Sequence, residues 1–296
     1  MTRINVYKAF SFIFISIYFA IIPMRANALI NIVAAENTYG EVAKELGGPY
    51  VNVISILNNP SQDPHLFTTT PSTAKALTLA DIVIYNGADY DPWITSILTM
   101  EGQKKRIIIN VADLMHIKSG ENPHIWYLPT TMPIFAKQLA TTMIQIDREH
   151  AQYYEIQLKQ FNHNYQIVFE KIKRLKQRFQ NTPVIATEPV FGYLAKSIGL
   201  KMHGEGFQIN MMNDATPTVS QVKSFEDDLT RHTVRLLIYN NQVINPLTEH
   251  MRNIAKQEKI PVLGVSEMIS PGLTFTQWIV TALSELEKAL KSKQGS

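Results

Sequence analysis

Short runs of Ile and Val alternate along the chain with longer stretches in which apolar residues recur every three or four positions. The first pattern predicts strands and the second predicts helices. The predicted strands are residues 30–35, 51–57, 82–85, 106–111, 184–186, 234–239 and 262–265. The predicted helices are residues 39–46, 72–79, 193–198, 219–229, 246–257 and 275–290, and Pro129 could open a further helix. Because strands alternate with helices in both halves, the chain is expected to form an α/β fold with mostly parallel sheets.

One uninterrupted amphipathic stretch separates the two α/β regions. From Tyr154 to Phe179 the apolar positions recur at spacings of four and three, and neither proline nor glycine occurs from Asp147 to Asn181. This predicts one helix of about 30 residues, about 45 Å long. A coiled-coil dimer is the alternative, because a seven-residue period favours supercoiling. The seam is rich in Tyr and Phe and spans fewer than four heptads, which favours a rigid spine along two lobes of a monomer.

The first 28 residues have the pattern of a secretory signal peptide. Arg3 and Lys8 precede an apolar run over residues 9–22, and Ala26 to Ala28 form a small-residue cleavage site. A membrane anchor is the alternative, but a spanning helix needs about 20 apolar residues. We therefore expect a signal peptide at 1–28, an N-terminal lobe at 29–146, a linking helix at 147–181 and a C-terminal lobe at 182–296. With no cysteine for lipid attachment, the cleaved chain is expected in the periplasm, without stable membrane insertion.

Composition excludes several kinds of chemistry. The 28 basic and 25 acidic residues become 25 of each once residues 1–28 are removed, and no basic run remains that would predict nucleic-acid binding. The absence of cysteine excludes disulfides, thiolate metal sites and cysteine nucleophiles. Motifs typical of phosphate loops, dinucleotide sites, hydrolase nucleophiles and zincins are also absent. We expect the protein not to be an enzyme.

Two histidines and two glutamates stand out in loops beside the predicted strands. His65 lies in QDPHLF and His124 in ENPHIWY, whereas Glu188 and Glu267 follow the strands at 184–186 and 262–265. Ligands of open α/β sheets bind beyond the carboxyl ends of the strands, so two residues from each half would face one another across a cleft. Two neutral imidazoles and two carboxylates would balance a divalent cation. Spacing alone leaves the alternative that these are ordinary polar groups in turns.

The strings QDPHLFTTTPS, NPHIWY, TEPVFGYLAKSIGL and GVSEMISPGLTFTQW resemble the periplasmic solute-binding proteins of zinc and manganese ABC importers. The resemblance covers nearly all of the chain after the signal peptide. It implies two α/β lobes joined by one long helix, with the metal in the cleft between them. It also implies His65, His124, Glu188 and Glu267 as metal ligands and an importer permease as partner.

Three departures from the family pattern bear on the metal. Zinc-specific members often have histidine as third ligand and a histidine-rich loop between the first two, whereas this chain has Glu188 and, between Thr68 and Asn122, only His116. Glu267 replaces the usual aspartate. The YNGADYDPW and TEPVFGY strings resemble a branch assigned to zinc. Nitrogen ligation favours Zn²⁺, while paired carboxylates keep Mn²⁺ as the alternative.

Two other functions remain open from the sequence. A secreted zinc-dependent hydrolase would bind zinc through His65, His124 and one glutamate and would use the other glutamate as general base. A metal-independent adhesion or assembly protein could use the same fold. His116 and His203 are predicted in loops, where they could reach the cleft, and Tyr90 and Trp126 are interpreted as core or cleft-wall aromatics.

Overall fold

The computed structural model describes residues 29–61, 64, 67–100, 105–243 and 245–292. The expected signal peptide and His65 lie outside the described residues. Within them, no helix combines the length and the apolar character needed to cross a membrane. The division into lobes at residues 146/147 and 181/182 stays a prediction.

Eight strands form two parallel four-stranded sheets with the same order. In the first sheet the order is β2-β1-β3-β4, and in the second it is β6-β5-β7-β8. The strands are β1 (Ile30–Glu36), β2 (Val51–Leu57), β3 (Ile82–Tyr85), β4 (Ile107–Asn110), β5 (Pro183–Ala186), β6 (Lys201–His203), β7 (Leu237–Asn240) and β8 (Val262–Val265). The first strand of each sheet has its sequence neighbour on one side and the third strand on the other. Each sheet therefore has a topological switch point, between β1 and β3 and between β5 and β7, where ligands of α/β folds bind.

Eleven α-helices occur in the described parts of the chain. They are α1 (Asn37–Gly47), α2 (Pro71–Leu79), α3 (Pro92–Met100), α4 (Val111–Met115), α5 (Thr131–Ile146), α6 (Ala151–Phe179), α7 (Gly192–Ile198), α8 (Glu205–Met212), α9 (Val219–Thr230), α10 (Pro246–Gln257) and α11 (Phe275–Lys291). The expected α/β class, with parallel sheets and one long helix, is confirmed.

Helix α6 is the predicted spine. Its 29 residues extend about 44 Å at 1.5 Å per residue. The buried seam, which includes Phe161, Tyr165 and Leu175, packs against α1, α5, α7 and α11 of the same chain. One continuous hydrophobic cluster contains Ile32 of the first sheet and Val184 of the second. The seven-residue period is therefore used to join the two sheets within the chain rather than to pair two copies of the helix.

Several short elements differ from the sequence expectation. The structure adds α3, α4 and α8, and it places His203 at the end of β6 rather than in a loop. The Nδ1 atom of His203 lies 3.2 Å from Oδ2 of Asp228. His116 ends α4 with a left-handed backbone, at φ 57°. Neither the His203–Asp228 contact nor the position of His116 at the end of α4 connects these histidines to the candidate ligands.

Candidate metal site between the lobes

The C-terminal lobe supplies two buried carboxylates at the carboxyl ends of its strands. Glu188 follows β5 and Glu267 follows β8, and their exposed fractions are 4% and 0%. Asn240, the last residue of β7, lies between them because β7 pairs with both β5 and β8. Its Nδ2 donates to Oε2 of Glu188 at 2.8 Å and to Oε1 of Glu267 at 2.6 Å. The parallel order thus brings two predicted ligands together through an amide.

The N-terminal lobe supplies His124, whose side chain is fully buried. Oδ1 of Asn122 accepts the backbone N–H of His124 at 3.1 Å and lies 2.6 Å from its Nδ1. Since an amide oxygen only accepts, Nδ1 is the donor in this contact, which leaves Nε2 as the ring atom available to a ligand. Nε2 lies 3.6 Å from Oε2 of Glu267 and receives no hydrogen bond from the described residues.

This pair of atoms fits a shared cation. Two ligand atoms at about 2.0–2.1 Å from a tetrahedral Zn²⁺ are about 3.4 Å apart, close to the observed 3.6 Å. A histidine whose other nitrogen is held by a hydrogen bond is the usual arrangement of a metal ligand. Among the described residues alone, which exclude His65, no three His, Asp or Glu side chains form a complete cation site. The structure therefore joins His124, Glu188 and Glu267 in one contact network, and His65 is the predicted ligand it does not place.

Aromatic side chains enclose the network. The hydroxyl of Tyr90 donates to Oε2 of Glu267 at 2.6 Å, and burial followed by the Glu267 charge raises the pKa of Tyr90 well above its usual value. The ring of Trp126 packs edge-on to Tyr90 and His124, with centroids 4.9 and 5.4 Å apart. Tyr90 and Trp126 thus form the wall of the site, as expected from the sequence, and lower the local dielectric constant around the carboxylates.

Hydrogen bonds from the N-terminal lobe to residues 266 and 269 hold the two lobes together beside this network. The side chain of Asn37 donates to the carbonyl of Ile269 at 2.9 Å and accepts its N–H at 3.0 Å. Tyr127 donates to the carbonyl of Ser266 at 2.7 Å. Because Ser266 precedes Glu267, these contacts fix the last ligand loop of the C-terminal lobe against the N-terminal lobe.

A second pair of buried carboxyl groups lies at the switch point of the first sheet. Glu36 and Asp91 are 0% and 1% exposed, and Asp91 accepts the backbone N–H groups of Asn86 at 2.6 Å and Gly87 at 2.9 Å. Burial raises the pKa of Asp91 to about 6, against the lowering effect of these hydrogen bonds. Burial and the adjacent Asp91 charge raise the pKa of Glu36 well above its usual value.

Protonation of Glu36 accounts for this pair. The Glu36 oxygens make no hydrogen bond of good geometry within the described residues, although the nearby backbone N–H groups of Glu36 and Asn86 counteract the rise in its pKa. A protonated Glu36 can donate to the Asp91 carboxylate, so that the two acids share one proton and bury one charge rather than two.

Sequence reasoning missed Asn240 and the Glu36–Asp91 pair. Asn240 ends a predicted strand beside the strands that precede both glutamates, so the rule that selected Glu188 and Glu267 also applies to it. Glu36 directly precedes α1, where the helix dipole favours an acidic side chain, but the Glu36 side chain makes no capping hydrogen bond. No sequence signal distinguishes such a buried acid from a cap.

Relatives and solved structures with this architecture are numerous. Two curated relatives are the manganese ABC transporter substrate-binding lipoproteins PsaA of Streptococcus anginosus and ScaA of Streptococcus gordonii. They are 24% and 25% identical to this chain over 254 and 260 residues, 79% and 80% of this chain and 78% and 79% of theirs.

Two solved structures share the fold. The periplasmic zinc-binding protein TroA of Treponema pallidum superposes with a TM-score of 0.75 at 12% identity, over 90% of this chain and 100% of that one. The laminin-binding adhesin Lmb of Streptococcus agalactiae, in a mutant form, gives 0.74 at 18% identity, over 88% and 100%.

The family model described as ZnuA, the periplasmic component A of the zinc-uptake complex, matches residues 32–289. This range includes both sheets, the spine helix and all four predicted ligands. The chain therefore belongs to the ZnuA family.

Proposed function

We propose that this protein binds one divalent transition-metal ion between its lobes and delivers it to an ABC importer permease. His65, His124, Glu188 and Glu267 are the proposed ligands. The metal is cargo, and the protein is not proposed to act as an enzyme. The proposal includes export to the periplasm through a cleaved signal peptide, in agreement with the family description.

The observation that carries the proposal is the contact between Nε2 of His124 and Oε2 of Glu267. The two atoms come from different lobes, are fully buried and lie 3.6 Å apart. A buried imidazole lone pair facing a carboxylate oxygen is costly unless a proton or a cation lies between them. A cation held there would also explain why the lobes are fastened around this point.

We propose Zn²⁺ as the preferred ion and Mn²⁺ as the alternative. Two imidazoles and two carboxylates suit four-coordinate Zn²⁺, whereas Mn²⁺ favours a larger number of oxygen ligands. The family model and one solved structure name zinc, whereas the curated relatives name manganese. The preference for Zn²⁺ is therefore proposed from the ligand chemistry and not from the relatives.

The two alternative functions receive no support from the geometry. A hydrolase would need one glutamate as a general base, but both oxygens of Glu267 accept hydrogen bonds, from Tyr90 and Asn240, which suits a fixed ligand. The likeness to a laminin-binding adhesin is at 18% identity and shows the fold alone.

Isothermal titration calorimetry tests the proposal. The chain from Leu29 onward would be stripped with a chelator and titrated separately with Zn²⁺ and Mn²⁺. We expect one equivalent of tightly bound Zn²⁺. Loss of a hydrogen-bond partner of a ligand typically costs 10–100-fold in affinity, so His124→Ala and Glu267→Ala should each cost more than about 100-fold.

The matched control is His163→Ala, which removes an exposed imidazole from α6 and should leave binding unchanged. His65→Ala and Glu188→Ala complete the ligand set and should weaken binding as His124→Ala does. Tight Zn²⁺ binding that survives the His124→Ala/Glu267→Ala double substitution would place the ion elsewhere. Absence of tight binding of either metal to the wild type would overturn the proposed function.

A further inference from the structure

We propose that Asn240 is a positioning residue that sets the metal selectivity of the site. It acts by holding Glu188 and Glu267 so that each offers a single oxygen to the ion. This inference rests on the proposed function and concerns the way in which the same site distinguishes Zn²⁺ from Mn²⁺.

The amide of Asn240 is fixed in one orientation. The residue is 3% exposed, and its Oδ1 accepts the backbone N–H of Gln242 at 3.0 Å. That contact identifies the oxygen of the amide, because an N–H can donate only to an acceptor. The NH₂ group therefore faces the two carboxylates, at 2.8 Å from Oε2 of Glu188 and 2.6 Å from Oε1 of Glu267. Both of its hydrogens are used in these contacts.

The orientation of Glu267 is set at both oxygens. Oε1 accepts from Asn240, whereas Oε2 accepts from Tyr90 and faces Nε2 of His124. A bidentate carboxylate has both oxygens bound to the same ion. Because Oε1 already accepts from Asn240, binding of Oε1 to the same ion as Oε2 would compete with that hydrogen bond. The amide therefore favours monodentate ligation by Glu267, and it holds Oε2 of Glu188 in the same manner.

Monodentate glutamates give a low coordination number. One oxygen from each glutamate and one nitrogen from each proposed histidine make four ligands, the number that Zn²⁺ adopts in closed protein sites. Oxygen-rich, higher-coordinate sites suit Mn²⁺, and bidentate carboxylates are the simplest way to provide them here. Releasing the carboxylates from Asn240 should therefore shift the balance toward Mn²⁺.

The test compares Asn240→Ala and Asn240→Asp with the wild type. Affinities for Zn²⁺ and Mn²⁺ would be measured by competition with a chelator of known affinity, and unfolding of the metal-free variants would check that each is folded. We expect Zn²⁺ affinity to fall about 10–100-fold. Mn²⁺ affinity should fall less or rise, so that the Zn²⁺/Mn²⁺ affinity ratio decreases at least tenfold. The aspartate variant keeps the size of the side chain and removes the NH₂ group, so the two variants together separate loss of the donors from loss of packing.

The visible absorption of bound Co²⁺ reports its coordination number, which would not change if Asn240 only stabilised the fold. Four-coordinate Co²⁺ absorbs strongly in the visible range and higher-coordinate Co²⁺ weakly, so the wild type should give an intense band that both variants lose. Asn241→Ala, the same change at the next, exposed position, should keep both the band and the ratio.

Equal losses for Zn²⁺ and Mn²⁺ with an unchanged Co²⁺ band would overturn the role in selectivity while leaving the metal site intact. Failure of the wild type to bind either metal would instead overturn the proposed function itself.

Discussion

Replacing Glu36 by Gln should make the protein more stable at neutral pH and remove part of the pH dependence of its stability. The Glu36 carboxyl is fully buried, and the groups that act on its ionisation are its neighbour Asp91 and the backbone N–H groups of Glu36 and Asn86. Tyr39 and Tyr90 are also close enough for the Glu36 charge to affect them. A glutamine keeps the shape of the side chain and an N–H donor for the Asp91 carboxylate, but it needs no proton from solvent.

The sign and size of the effect follow from proton linkage. An unfolded glutamate ionises near pH 4.3, whereas burial raises the pKa of Glu36 in the folded protein well above its usual value. Between these two values the folded state holds one more proton than the unfolded state, so stability falls as pH rises, by about 1.4 kcal/mol per pH unit. As pH rises through this range, the free energy of unfolding of Glu36→Gln should therefore increase relative to that of the wild type.

Urea denaturation of the metal-free proteins at pH 5, 6, 7 and 8 would measure this difference. Asp91, whose pKa is raised to about 6, titrates together with Glu36, so the difference between the two proteins reports the shared proton of the pair. Glu155→Gln makes the same chemical change on the exposed face of α6 and should give a curve parallel to the wild type. Parallel curves for Glu36→Gln and the wild type would refute the shared proton.

Two further predictions concern the spine and the fastening of the lobes. Phe161→Ala, in the fully buried seam of α6, should lower the free energy of unfolding by about 3–5 kcal/mol in chemical denaturation. Ile156→Ala, at a side chain 52% exposed on the same helix, should lower the free energy of unfolding far less. Asn37→Ala should leave the N–H and carbonyl of Ile269 without their partner, at about 1–3 kcal/mol for each group, and hydrogen exchange at the Ile269 amide should accelerate. Unchanged exchange there would show that water or a neighbouring group replaces the Asn37 amide.

The α/β fold could be predicted because its strongest signals are local. Strand β3 has the predicted bounds. Its first three residues are fully buried, as expected for a run of apolar residues in a parallel sheet that helices cover on both faces. The spine was evident from an unbroken period over 29 residues. The strand at Lys201–His203 was not, because three residues at the edge of a sheet, one of them Lys, give no alternating pattern.

The sequence singles out the charged residues of the contact network and not its neutral residue Asn240. Glu188 and Glu267 stand out in the sequence because each lies two residues after a strand, and ligands of open α/β sheets bind beyond the carboxyl ends of the strands. Asn240 occupies an equivalent position, but an amide is common in turns and carries no charge that would require a partner. Its role depends on which strands are neighbours. The order β5-β7-β8 is set by long-range pairing, which the local periodicity of the sequence does not predict.

The two lobes have the same strand order, but the buried acidic groups at their switch points have different partners. At the first switch point, Glu36 and Asp91 lie together and the Glu36 oxygens make no hydrogen bond of good geometry within the described residues, so a shared proton removes one charge. At the second, the Asn240 amide lies between Glu188 and Glu267 and donates a hydrogen bond to each carboxyl group. A cation entering the cleft would then meet negative charge from the C-terminal lobe, while the acid pair in the N-terminal lobe, closed by its proton, would not compete for it. The difference explains why one fold repeated twice would give one metal site rather than two.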